Sequence, residues 1–167
     1  MKYSYKKSNR RKLIYIPFIV IIIIAIYLSL QYSMFQSFIS TTGCMKMEVS
    51  GVSLTDNPNV LLKNGCYELT ILISPWQAEA IQEGLEEATR YRPYTHDIIS
   101  EILSDFSIDL TLVKITKLHD STYFAELYLQ GLTHLSILDI RPSDAIAIAV
   151  RTNTPIYVNQ SLVTKTC

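Results

Sequence analysis

DIRPSDAIAI, residues 139–148, places an arginine, a proline and an aspartate ahead of an almost unbroken run of alanine and isoleucine. LISPWQAEAI, residues 72–81, repeats that outline, with the proline, two alanines and an isoleucine at the same offsets. Proline suits the first position of a helix, where its fixed φ is already helical and its missing N–H has no partner to lose. Each stretch therefore reads as a strand turning into a helix. Ala145, Ala147 and Ala149 are small enough for helix and sheet backbones to approach closely.

Working outward, three strands precede each joint. Residues 45–54 alternate as a strand, Asn57-Pro58 turns the chain, 59–63 form a second run before Asn64-Gly65, and 67–74 form a third. Ser74 then caps a helix that runs to about residue 89. In the second copy, 109–117 and 122–129 are joined through His119, Asp120 and Ser121, and 135–140 leads into a helix over 142–151. Thr154-Pro155 ends that helix, and 156–159 reads as a closing strand on a sheet edge where a second copy of the chain would add to form a homo-oligomer. Between the copies another helix begins after Pro93, capped by Thr95, with Ile98, Ile99, Ile102, Leu103 and Phe106 as one apolar stripe. The expected fold is α+β: duplicated β3α units forming a mixed sheet with packed helices, preceded by one transmembrane helix.

That transmembrane helix is expected over residues 13–30, LIYIPFIVIIIIAIYLSL, which carry no charge. About twenty apolar residues cross a bilayer, and lipid forces even β-branched residues to satisfy their backbone groups helically. Residues 1–12 hold six basic side chains and no acid, which places the N-terminus in the cytoplasm and the rest beyond the membrane. No small-x-small site closes the apolar run, so the anchor is expected to stay uncleaved. The organisation expected is a basic tail over 1–12, the span over 13–30, a linker over 31–44 and a domain over 45–167.

Charge is divided unevenly. Of fifteen basic residues, six lie in the tail, leaving nine against fifteen acids that all lie in the domain, a net charge near −6. Composition thus lacks the basic footprint by which many proteins hold a phosphate backbone. Cys44, Cys66 and Cys167 form no CxxC and have no histidine at zinc spacing, which argues against a structural metal site. Cys44 and Cys66 either pair, closing a loop worth about 3 kcal/mol, or all three remain thiols, with Cys167 the odd one.

Two polar clusters stand at helix starts. RYRPYTHDII, residues 90–99, and the later RPSDAIA, residues 141–147, both enter through Arg-Pro, and TPIYV follows at 154–158. In this order the motifs resemble the bifunctional nuclease domain family, over residues 45 to about 163. The matched positions are Arg92, Pro93, Thr95, His96 and Asp97, then Arg141, Pro142, Ser143, Asp144 and Ala145. The resemblance implies an α+β domain with a mixed sheet and metal-assisted nuclease activity on DNA and RNA. A membrane anchor departs from the family's usual soluble form.

Phosphodiester hydrolysis needs an activated water, neutralisation of the nonbridging oxygens and help for the leaving oxygen. On these residues His96, Asp97 and Asp144 would be catalytic, with His96 as general base. Arg92, Arg141, Thr95 and Ser143 would hold substrate. Asp97, Asp144 and Glu101 would ligate a divalent ion, Mg²⁺ or Mn²⁺, through carboxylate oxygen. Each has a structural alternative: Thr95 as a cap, Asp97 as a first-turn acid, Glu101 and Asp105 as a solvated face, His96 bonded to a carbonyl, and Arg141 paired with Asp144 or Asp139. Tyr91, Tyr94 and Tyr123 are candidates to stack bases. The competing function is a non-catalytic anion-binding or assembly module on the same fold.

Overall fold

The computed structural model describes residues 10–38, 40–87, 91–132 and 134–167. Residues 1–9, most of the expected basic tail, lie outside them. The chain divides into two units, Met1–Ser40 and Thr41–Cys167. In the first, helix α1 spans Arg10–Phe38, 29 residues with Pro17 inside it. Its side chains at 15–27, 29 and 30 are exposed. Ser29 Oγ turns back to donate to Ile26 O at 2.8 Å, so its hydroxyl is satisfied within the helix. Among the described residues no helix is long and apolar enough to cross a membrane. The expected span over 13–30 falls within α1, and the side chains of 13, 14 and 28 lie outside the described residues.

The second unit contains β1 (Cys44–Ser53), β2 (Asn59–Asn64), β3 (Tyr67–Leu72), α2 (Pro75–Leu85), α3 (Thr95–Asp105), β4 (Asp109–His119), β5 (Thr122–Gln130), β6 (Leu135–Ile140), α4 (Pro142–Thr152), β7 (Ile156–Asn159) and β8 (Thr164–Lys165). The strands form one eight-stranded sheet in the order β6-β5-β4-β7-β1-β2-β3-β8. Every pairing is antiparallel except β4 with β7, so the sheet is mixed. The two expected β3α units are visible as two meanders, β1-β2-β3 and β4-β5-β6, each followed by a helix that starts on proline. The turn between β4 and β5 rests on Asp120 and Ser121, both in the left-handed region, which matches the twist of a two-residue hairpin.

The closing strand is not at an edge. β7 runs through the centre, pairing with β1 on one side and β4 on the other, so the self-association edge expected there does not exist. The reason is apolar: Ile156 and Val158 are buried between the pairs Val113 and Met47, and Ile115 and Met45, and a strand so placed buries more than an edge strand does. The edges are β6 and β8.

Helix α4 is the hub of the helical layer. It lies on β4 and β5, and α2 and α3 both pack on it. Ala145, Ile146, Ala147, Ile148 and Ala149 are buried in one cluster with Val60, Leu62, Ile81, Leu103, Val113, Ala125 and Val158. Burying an aliphatic side chain of this size contributes roughly 1.5–3 kcal/mol, which is why the segment is apolar on nearly every side. Gly84 lets α2 pack closely on α4, since a Cβ there would lie 2.6 Å from Val150 Cγ2 and 2.6 Å from Arg151 Nη1.

Three local expectations are corrected. Helix α2 ends at Leu85, with Glu86 as its C-cap, earlier than the expected residue 89, which lies outside the described residues. The N-cap of α3 is Tyr94, and Thr95 is the first helical residue. Of the expected stripe on α3 only Leu103 is buried and Ile99 half-buried, whereas Ile98, Ile102 and Phe106 are exposed, because the helix meets α4 along a line narrower than that stripe.

The disulfide also differs. Cys66 is bonded to Cys167, with Cα atoms 5.3 Å apart, and Cys44 is a free, half-buried thiol. Strand β8 lies antiparallel to β3, pairing Lys165 with Tyr67 and Thr164 with Glu68. Thr166 N then donates to Cys66 O at 2.8 Å, which delivers Cys167 to Cys66. Cys44 begins β1, which pairs with β7 and β2, and faces Asn159 in that ladder.

Candidate active site

The two Arg-Pro clusters meet in space. Pro142 opens α4 at its first position, and Asp144 sits in the first turn, where a carboxylate is favoured by the helix dipole. Arg141, the residue just outside, donates from Nε to Asp144 Oδ2 at 2.7 Å. His96, in the first turn of α3, places Nε2 3.2 Å from Asp144 Oδ1. One carboxylate thus joins side chains from both motifs, 48 residues apart. The Arg141 side chain is 72% exposed against 20% for Asp144, so the guanidinium is anchored at one nitrogen while much of it faces solvent. The His96 side chain is 18% exposed.

An ionised carboxylate only accepts hydrogen bonds, so Nε2 of His96 must be the donor in this contact. For a neutral imidazole the lone pair then resides on Nδ1. The arrangement can take a proton at Nδ1 and stabilise the resulting imidazolium through Asp144, beside a cation suited to an anionic oxygen.

Asp97 is engaged differently. Its Oδ2 accepts from Tyr94 N at 2.8 Å, and its Oδ1 accepts from Arg151 Nε at 2.5 Å. Burial alone would raise its pKa, but the hydrogen bond from Arg151, that of the Tyr94 N–H and the positive charge of Arg151 together outweigh it and hold the carboxyl below its ordinary value. A depressed folded-state pKa means the stabilisation is complete above the unfolded value near 4 and is lost as pH falls through the folded one. Asp97→Asn should therefore flatten the part of the loss of thermal stability that wild type shows as pH falls below the ordinary carboxylate value near 4, measured by calorimetry on the full chain.

The remaining expected residues are spread around this centre. Thr95 is exposed at the first position of α3, and Ser143 is buried at the second position of α4. Arg92 is exposed on the segment leading to α3, between Tyr91 and Pro93, and Tyr91 and Tyr94 are exposed with it. Tyr123 is half-buried on β5, and lies on the same face as Ala125, which pairs with Ile140 immediately before Arg141. Glu101 is exposed, one turn beyond Asp97. Among the described residues no three His, Cys, Asp or Glu side chains are grouped to hold a metal ion. Asp97, Asp144 and Glu101 are not brought together as one ligand set in this arrangement: Asp97 meets Arg151, and Asp144 meets His96 and Arg141.

Arg151 was not among the expected residues. It is the sole charged residue after Asp144 on α4, seven positions along and hence on the same helix face. A lone arginine in so apolar a helix requires a buried acceptor, and that requirement is the signal in the sequence.

Over residues 60–167 the sequence matches the bifunctional nuclease domain. It is 36% identical over 112 residues to an uncharacterized protein of Mycobacterium tuberculosis, covering 64% of this chain and 65% of that one. It is 32% identical over 97 residues to bifunctional nuclease 1 of Arabidopsis thaliana and to bifunctional nuclease 2 of Oryza sativa subsp. japonica, covering 56% of this chain and 30% of each plant protein. The chain therefore spans under two thirds of the length of these relatives. The matched region begins within β2, so β1, which completes the sheet beside β7, precedes it. With more than half its length matched and both helix-start motifs inside that part, the chain belongs to the bifunctional nuclease domain family.

Proposed function

We propose that this chain is a membrane-anchored nuclease that hydrolyses phosphodiester bonds of DNA and RNA with little sequence preference. The observation that carries the reading is the Asp144 carboxylate, which joins His96 of one motif to Arg141 of the other. The names of the plant relatives support the same chemistry. In this reading His96 Nδ1 takes the proton of the attacking water, Asp144 fixes the ring and balances the charge it acquires, and Arg141 with Arg92 binds the nonbridging oxygens. Thr95 and Ser143, at the two helix starts, contribute to holding the phosphate.

Dependence on Mg²⁺ or Mn²⁺ belongs to the same proposal, as a variable of the assay. Such an ion supplies charge neutralisation and a more acidic water when bound, and the steps assigned to His96, Asp144 and the arginines stand without it. The domain's net charge near −6 opposes a polyanion at long range, so substrate capture should depend on local contacts and on the cations present.

The anchor is proposed over residues 13–30, with the domain on the extracytoplasmic side. It is supported by the uncharged apolar sequence there, the helical backbone across it and the basic residues before it. The Cys66–Cys167 disulfide fits an oxidising compartment. The alternative, a non-catalytic anion-binding or oligomeric assembly module, is favoured by one observation, that Asp97 and Arg151 are committed to each other.

The test is cleavage of labelled single-stranded DNA and RNA by the full chain in detergent or vesicles, with Mg²⁺, with Mn²⁺ and with EDTA. Cutting of both substrates supports the nuclease. A folded wild-type chain that cuts neither under any of these ions leaves the binding module.

A further inference from the structure

His96 and Asp97 are consecutive in the first turn of α3, so their side chains leave the helix about 100° apart. On α4 they meet opposite partners: His96 reaches Asp144 near its start, and Asp97 reaches Arg151 near its end. Helix α3 is thus held across α4 by two contacts of reversed polarity.

Arg151 is the better fixed of the two α4 partners. Its side chain is 9% exposed. Beyond the bond to Asp97, Nη1 donates to Ala80 O at 2.8 Å and to Ala147 O at 2.8 Å, so one guanidinium ties α2, α3 and α4. Gly84 leaves room for it, since a Cβ there would sit 2.6 Å from Nη1. A planar fork with several donors can hold three acceptors at once, which an ammonium on a flexible stem does poorly.

We infer that Arg151 is a positioning residue: by holding Asp97 it sets the rotation of α3 about its axis, and thereby the contact of His96 with Asp144. The imidazole lies about 6 Å from the helix axis, so a rotation of about 10° displaces it by about 1 Å. A displacement of that size at a reacting group can cost about a hundredfold in rate. Asp97, placed by the sequence among the catalytic acids, acts through the same device. The kinetic consequence rests on the nuclease reading; the geometric one does not.

The experiment uses the full chain in detergent, with His96 ring resonances followed by NMR and assigned by His119→Gln and His134→Gln. In wild type, Asp144→Asn should move the His96 ring signals. In Arg151→Met the same substitution should move them by less than half as much, with Arg151→Lys intermediate. Where cleavage is measurable, Arg151→Met should lower kcat by about tenfold to a hundredfold with KM within about twofold of wild type, because Arg141 and Arg92 are untouched. A folded Arg151→Met in which Asp144→Asn shifts His96 by the wild-type amount overturns the inference. Should Arg151→Met not fold, Asp97→Asn, which leaves the carbonyl bonds of Arg151 in place, decides by the same ring signals. Loss of cleavage in wild type itself would overturn the nuclease reading and leave the NMR result standing.

Discussion

On the proposed nuclease mechanism, Asp144→Asn is expected to lower the rate of phosphodiester cleavage by about 10²–10⁴, the usual contribution of a positioned general base, while the domain stays folded. The two side chains are nearly the same size, but asparagine has one accepting oxygen where Asp144 uses two, one for Arg141 and one for His96. Whichever way the amide turns, one partner faces an N–H group. If that partner is His96, its Nε2 becomes the acceptor and the proton moves to Nδ1, which removes the lone pair the reaction needs. If it is Arg141, the guanidinium loses its anchor and the phosphate its orientation. The loss in stability should be no more than about 1–2 kcal/mol, because Asp144 is partly exposed and contributes a first-turn charge and a screened ion pair. Single-turnover cleavage of labelled DNA and RNA, with thermal unfolding of the same sample, checks both halves. Wild-type rates in the folded variant would remove His96 and Asp144 from the chemistry.

The largest expected effect on stability is that of removing the Cys66–Cys167 bond. It closes a loop across a sequence separation of 101, for which the chain-entropy argument gives about 4–5 kcal/mol. Cys167→Ser should therefore lower the Tm by roughly 15–25 °C for a domain of this size. Strand β8 pairs through only two residues and lies at the sheet edge, so it should be the first element to lose amide protection. Dithiothreitol should reproduce the shift in wild type and add nothing in the variant. Cys44→Ser is the control, expected to keep the Tm and its sensitivity to reductant. A Cys167→Ser chain that melts with wild type would mean that the Cys66–Cys167 cross-link contributes nothing to stability.

Much of the candidate site was visible as residue types at helix starts. Asp144 and His96 are each identified by a proline or polar entry ahead of an apolar helix, and Arg141 by its place outside that entry. Their meeting was not visible, because it depends on the angle at which α3 crosses α4, and no feature of either segment alone encodes that angle. The same crossing brings Asp97 to Arg151 and not to Asp144: a neighbour in sequence is about 100° away on the helix surface.

By itself the sequence determined the two strand meanders, the helices that start on Pro75 and Pro142, and the apolar character of α4, since period, turn chemistry and caps act over a few residues. Tertiary structure alone decided that β7 lies in the centre, that Cys66 bonds Cys167 rather than Cys44, and that Asp97 serves Arg151 while His96 serves Asp144. These are pairings between groups far apart in the chain. What selects them is the burial and hydrogen bonding available once the sheet and its three packed helices have formed, and that free energy belongs to the assembled fold and to none of its segments.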